Sequence, residues 1–211
     1  VTGAKGEKPE RAQHLPLAVR KELVLDAALR VSLRDGDAVS MDAVAAEAGV
    51  AKTVLYRCWS NRDTMLQALD QRESSRLAEQ LTTALDAAQA ESDPARALHG
   101  VLVAYFAAVR DSPDSYRLLY GTRVRADRAQ AVQGSRSRAI TRLTPVLRGW
   151  LDGSDSLPGS ERRANALAAL AVGAAESGAR LLLDPESDWS PEELADSVRT
   201  LFAGGVPAFD D

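Results

Sequence analysis

Ser40, Lys52, Thr53, Tyr56, Arg57 and Arg62 stand within one short stretch, and each side chain ends in a hydrogen-bond donor. Lys52, Thr53, Tyr56 and Arg57 are spaced by steps of one and four, which spreads them over adjacent faces of a helix. A helix carrying such groups suits hydrogen bonding to the base edges and phosphates of a DNA duplex. The Lys52 ammonium fits guanine acceptors, and the Thr53 methyl fits thymine. The Tyr56 hydroxyl suits a phosphate or sugar, while Arg57 reaches a base or a phosphate, or pairs with nearby Asp63. Arg62, near the positive end of the following helix, offers a phosphate site. Ser40 and Thr53 also have a local use, as partners for backbone groups of their own helices.

Positioning these groups falls to residues 39–66, VSMDAVAAEAGVAKTVLYRCWSNRDTML. They read as a short helix, a tight turn at Gly49, a second short helix and a sharp entry into a third. That is a helix-turn-helix, which delivers one exposed helix to the DNA major groove. Ser40 can cap the first helix, and Val44, Ala45 and Ala48 form its apolar stripe. Ala45 is small where the two helices cross, and Gly49 permits the positive φ that a short turn needs. Val50, Val54 and Leu55 fix the second helix from beneath, leaving Ala51, Lys52, Thr53, Tyr56 and Arg57 around the DNA-facing sides.

The same residues resemble the N-terminal domain of the TetR family of bacterial transcriptional regulators. The match runs from about Arg20 to Leu66: it begins with RKELVLDAALRVSLRDG, passes through AAEAGV and ends in LYRCWSNRDTML. The resemblance implies that Trp59 packs under the next helix and that Arg62 touches phosphate. Three positions depart from the family's pattern. Ala51 stands where a Ser or Thr often caps the recognition helix, and Val54 where a phosphate-contacting Thr is common. Ser32 stands where the first helix usually carries an aromatic, which implies local repacking.

The 211 residues suffice for a substantial core in one or two joined domains, and the net charge of −4 at first argues against a nucleic-acid partner. Residues 1–80 hold twelve basic and twelve acidic side chains, against fourteen and eighteen in 81–211. Binding must therefore rest on local placement of Arg and Lys. The one cysteine, Cys58, excludes an intramolecular disulfide and gives no zinc pattern. It reads as a small buried apolar residue, with a redox-sensitive thiol as the alternative. Residues 1–14 lack the apolar segment of a secretory signal, and no run approaches the length of a membrane span. The expected location is the cytoplasm.

Beyond the helix-turn-helix the chain reads as all α. Residues 1–15 are expected to form a polar arm, either a solvated tail or one that touches DNA. Residues 16–62 form the DNA-binding domain, 63–206 a helical ligand-binding and dimerisation domain, and 207–211 a tail. Pro16 suits a first helical turn, Gly36 ends that helix, and Ser60 with Asp63 suggests a capping box for a long fourth helix. Asp93 and Pro94 open the next, and Pro145 is expected to kink or divide the segment 125–151. Residues 151–161 read as a loop. Gly173 and Gly178, inside an Ala- and Leu-rich helix, call for a packing explanation, which close crossing at an interface supplies.

Tyr105, Val109, Tyr116, Tyr120 and Trp150 are candidates for lining an effector cavity, a feature the family resemblance implies; aromatics at this spacing also serve simply as core. Residues 117–148 hold eight arginines and one acid, Asp127. They form either a solvated face balancing acids elsewhere or an attraction for an anionic ligand such as an acyl-CoA. Resemblance to the family also implies a homodimer, with Leu170, Ala174, Gly178, Leu181, Val198 and Phe202 as candidate interface residues. The same apolar faces could equally close an intramolecular core.

No nucleophile elbow, phosphate loop or metalloprotease motif occurs, and no cofactor or metal is expected. The reading is a homodimeric, sequence-specific DNA-binding regulator, a repressor of a palindromic operator released by a small molecule that is mostly apolar or anionic. The alternatives are a helical adaptor that has lost DNA binding and a helical enzyme.

Overall fold

The computed structural model describes residues 16–121, 129–151 and 160–205. The N-terminal arm, the segment with Arg123, Arg125 and Arg128, most of the 151–161 loop and the C-terminal tail lie outside them. The described chain is all α: α1 (Leu17–Asp35), a 3-10 turn (Gly36–Ala38), α2 (Met41–Ala48), α3 (Lys52–Cys58), α4 (Arg62–Ala90), α5 (Pro94–Asp111), α6 (Pro113–Tyr120), α7 (Ala129–Leu151), α8 (Ser160–Leu182) and α9 (Pro191–Gly205).

It divides into two compact units. The first takes in the described chain to Ser74 and residues 117–121. It thus runs past the 62/63 boundary expected from sequence, because Met65, Leu66, Leu69 and Leu118 share one buried core with Val24, Leu25, Ala28, Val44 and Leu55. α1 follows Pro16, which stands just before the helix, with its carbonyl accepting from the Arg20 N–H at 3.0 Å. α4 is capped one residue later than the sequence suggests. Asn61 Oδ1 accepts from the Thr64 N–H at 2.9 Å, and the Thr64 hydroxyl donates back to the Asn61 carbonyl at 2.9 Å. The short Asn amide reaches the third helical N–H from that position, which leaves Ser60 outside the cap.

In the second unit α5 packs against α7, α8 and α9, and α7 packs along α8. Asp93 caps α5 by accepting from the Ala95 N–H at 2.9 Å, with Pro94 at the first helical position. A full capping box opens α9: Ser190 Oγ accepts from the Glu193 N–H at 3.2 Å, and Glu193 Oε2 accepts from the Ser190 N–H at 2.9 Å. The Ser190 N–H, and the Ser190 hydroxyl donating to the same Oε2 at 2.8 Å, hold the Glu193 carboxyl below its ordinary range. Pro145 does not divide α7, which runs unbroken from Ala129 to Leu151.

Candidate nucleic-acid interface

The α2–α3 pair is built from its apolar side outward. Val44 and Ala45 of α2 and Val54, Leu55 and Cys58 of α3 are buried. Ser40 Oγ accepts from the Ala43 N–H at 3.1 Å, so the local use of that hydroxyl is realised. Gly49 sits at φ 64° and ψ 28°, the left-handed conformation that lets α2 stop and α3 start within three residues. Lys52, Thr53, Tyr56 and Arg57 are all exposed on α3, with Tyr56 at 52%. Ala51 precedes α3 and supplies no side-chain cap.

Two sets of polar contacts fasten this pair to its surroundings, and a third ties α4 to α1. Glu47 of α2 accepts from Arg30 Nε at 2.7 Å and from Arg34 Nη1 at 3.3 Å, both on α1. Those hydrogen bonds hold the Glu47 carboxyl below its ordinary range. Arg62 donates from Nε to the Val39 carbonyl at 2.7 Å and from Nη2 to the Asp37 carbonyl at 2.8 Å, immediately before the α2 cap. Its Nη1 lies 3.6 Å from Asp63, so the partner near Asp63 is Arg62, where the sequence offered Arg57. Arg72 of α4 reaches Glu22 and Asp26 of α1 at 3.0 and 2.9 Å and also binds the fully buried Glu73. Below α3, Trp59 is buried, with the Lys21 ammonium 5.8 Å from its ring centroid.

Lys52 Nζ lies 2.7 Å from Oδ2 of Asp42, in the first turn of α2. Sequence reading missed Asp42, because only the folded turn brings positions ten apart together. Ser32 Oγ is buried without a hydrogen-bond partner, the local cost of a hydroxyl within the α1 core.

Tyr105 and Tyr116 meet edge to face at 6.4 Å with their hydroxyls 3.2 Å apart, and Phe106 lies 5.5 Å from Tyr105. Val109 is buried on α5. Trp150 stacks on Phe202 at 6.5 Å, while Tyr120 belongs to the first unit. The two-aromatic stack occupies Phe202 within the chain, and Val198 is buried in the second core. Gly178 is also turned inward: a Cβ there would stand 2.7 Å from Phe106 Cζ, so the close crossing is between α5 and α8 of one chain. Ala174 is half-buried, whereas Leu170 and Leu181 are exposed at 64% and 47%. Of the arginines in 117–148, Arg136 pairs with Glu176 at 2.5 Å and Arg142 with Asp86 at 2.7 Å. They balance acids on neighbouring helices.

No helix among the described residues is long and apolar enough to cross a membrane. Residues 24–69 match the family described as bacterial regulatory proteins, tetR family, and residues 94–205 match the tetracyclin repressor-like C-terminal domain. Over 58 residues the chain is 47% identical to the DNA-binding transcriptional repressor TetR of Mycobacteroides abscessus, covering 26% of this chain and 30% of that protein. Over 138 residues it is 26% identical to an uncharacterized HTH-type transcriptional regulator of Mycobacterium tuberculosis, covering 65% of this chain and 57% of that one. The chain thus spans less than two thirds of the length of either curated relative. Among solved structures it is similar to a TetR-like transcriptional regulator from Rhodococcus sp. RHA1, with a TM-score of 0.75, 28% identity, and coverage of 92% of this chain and 99% of that one. A helix with an exposed polar side and a buried apolar one, followed by a helical unit that matches the same family over more than half the chain, leads to one conclusion: this protein belongs to the TetR family of bacterial transcriptional regulators, and its α2–α3 pair is a DNA-binding helix-turn-helix.

Proposed function

We propose that the chain is a cytoplasmic, homodimeric repressor that reads a palindromic operator and is released from it by a small molecule. The observation that carries this reading is α3 itself: its apolar side is sealed into a core, and its polar side bears Lys52, Thr53, Tyr56 and Arg57 uncovered. In this reading Lys52 and Thr53 meet base edges, and Tyr56 and Arg57 meet phosphates or sugars. Ser40 caps α2, and Arg62 holds the entry to α2 first and touches phosphate second.

One such head makes few contacts, and a twofold axis doubles them over two half-sites. Support for a second copy comes from Leu170 and Leu181 on α8 and Leu201 on α9, large apolar side chains left 64%, 47% and 72% exposed. Support for an effector site within the helical unit comes from the Tyr105 and Tyr116 hydroxyls, 3.2 Å apart, with the Phe106 ring beside Tyr105. Because Arg136 and Arg142 are already paired, this reading favours a mostly apolar effector over an anionic one.

The test is selection from a random duplex pool at moderate salt. Recovery of a palindrome supports a dimeric DNA reader; no enrichment by folded protein refutes this reading in favour of the adaptor.

A further inference from the structure

We propose that Asp42 and Lys52 act as one unit that reads a guanine–cytosine pair in each half-site, with Asp42 a specificity-determining residue of the head. The inference rests on the reading of α2–α3 as a DNA reader and names what part of it reads. Asp42 lies in the first turn of α2 and Lys52 is the first residue of α3. Their charged ends are 2.7 Å apart, yet both side chains remain more than 60% exposed. An ion pair this open adds little to stability, so the fold does not depend on it. It does set the Lys52 ammonium beside a carboxylate, on the helix that also exposes Thr53 and Tyr56.

The two groups together offer a definite pattern. An ammonium has three donors; one is given to Asp42 Oδ2, and two remain. The carboxylate keeps Oδ1 as an acceptor. Across the major groove a guanine–cytosine pair presents two acceptors, N7 and O6, and then the cytosine N4 amino donor. Two donors followed by an acceptor complement that order. An adenine–thymine pair interposes the adenine N6 donor between its acceptors, setting it against a lysine proton. The carboxylate also penalises other sites: where no cytosine amino group meets it, Oδ1 is left without a donor near the phosphates, while Oδ2 ties up a cation that would otherwise neutralise one.

The experiment selects duplexes from a random pool with the full chain and with Asp42→Asn, Asp42→Ala and Lys52→Ala, each checked by thermal melting. Binding is then titrated at several salt concentrations on the selected duplex, on one with the guanine–cytosine pair exchanged for adenine–thymine, and on an unrelated duplex. The unaltered protein is expected to recover a palindrome with one invariant guanine–cytosine pair per half-site. Asp42→Ala should lose about tenfold of the preference for that pair. Its affinity for the unrelated duplex should rise, with a salt dependence steeper by about one ion as Lys52 turns to phosphate. Asp42→Asn, which keeps the side chain's shape, should move the preference toward adenine. The same pair selected equally well by both Asp42 variants would overturn the proposal, as would a palindrome with no invariant guanine–cytosine pair. Either result leaves the DNA-reading function standing, whereas no enrichment by the folded, unaltered protein removes both.

Discussion

Arg62 and Tyr56 separate two ways in which a side chain can serve DNA binding. The Arg62 guanidinium holds two carbonyls just ahead of the α2 cap, whereas Tyr56 points outward from α3 and is 52% exposed. Hydrogen bonds from a charged donor are worth about 1.5–3 kcal/mol each, and the half-exposed site of Arg62 brings that toward the lower figure. Arg62→Ala should therefore lower the melting temperature by several degrees, with weaker DNA binding as a consequence. Tyr56→Ala should leave melting unchanged and weaken binding to all duplexes alike. Melting curves set beside binding titrations check both, and an Arg62→Ala protein that melts normally would return Arg62 to a purely phosphate role. Ser32 gives a prediction of opposite sign. Its buried hydroxyl has no partner, so Ser32→Ala should be neutral or stabilise by up to about 1 kcal/mol in denaturant unfolding.

At the level of helices, what was legible in the sequence is what local chemistry decides. The capping box at Ser190 and Glu193, the Asp93–Pro94 start and the turn at Gly49 involve residues within a few positions of one another, so the sequence carries the whole interaction. The cap of α4 stands one residue beyond the position expected from sequence, because Ser60 and Asn61 are adjacent and equally able. Gly178 was legible as a close crossing but not as a crossing with Phe106, since a small residue does not say which helix approaches it. Gly178→Ala should destabilise by about 1–3 kcal/mol through overpacking, measured by denaturant unfolding, and trimming the ring with Phe106→Leu should recover part of the loss. Two carboxylates also set a pH limit. Glu47 and Glu193 both have lowered pKa values in the folded protein, from the Arg30 and Arg34 hydrogen bonds and from the Ser190 donors respectively. A lowered value gives stability that is present above the unfolded-state pKa and is lost as pH falls through the folded one. Melting temperature should therefore decline below about pH 4.5, and Glu193→Gln should flatten part of that decline.

For the whole molecule, the family and the helix-turn-helix could be read because nearly fifty consecutive residues carry them. The partners of single aromatic and arginine side chains could not, because they come from distant helices: Trp150 finds Phe202, and Arg142 finds Asp86. The exposed leucines yield a prediction at this scale. Leu170→Glu with Leu201→Glu should shift the protein to a monomer in analytical ultracentrifugation and weaken operator binding by more than tenfold, with α3 untouched. A dimer that survives both changes would put the interface elsewhere.

The first core also bears on how such a protein can be cut and recombined. Its buried members run continuously from Val24 to Leu69, and Leu118 then joins them from a stretch of chain that follows a long excursion through the second unit. The DNA-reading head is therefore not a detachable prefix. A fragment ending at Ser74 lacks Leu118, an omission comparable to emptying a buried leucine site and worth about 2–5 kcal/mol. Hybrid regulators made by exchanging heads at a single junction would inherit that gap, and a working graft must carry two pieces of this chain, joined at two seams.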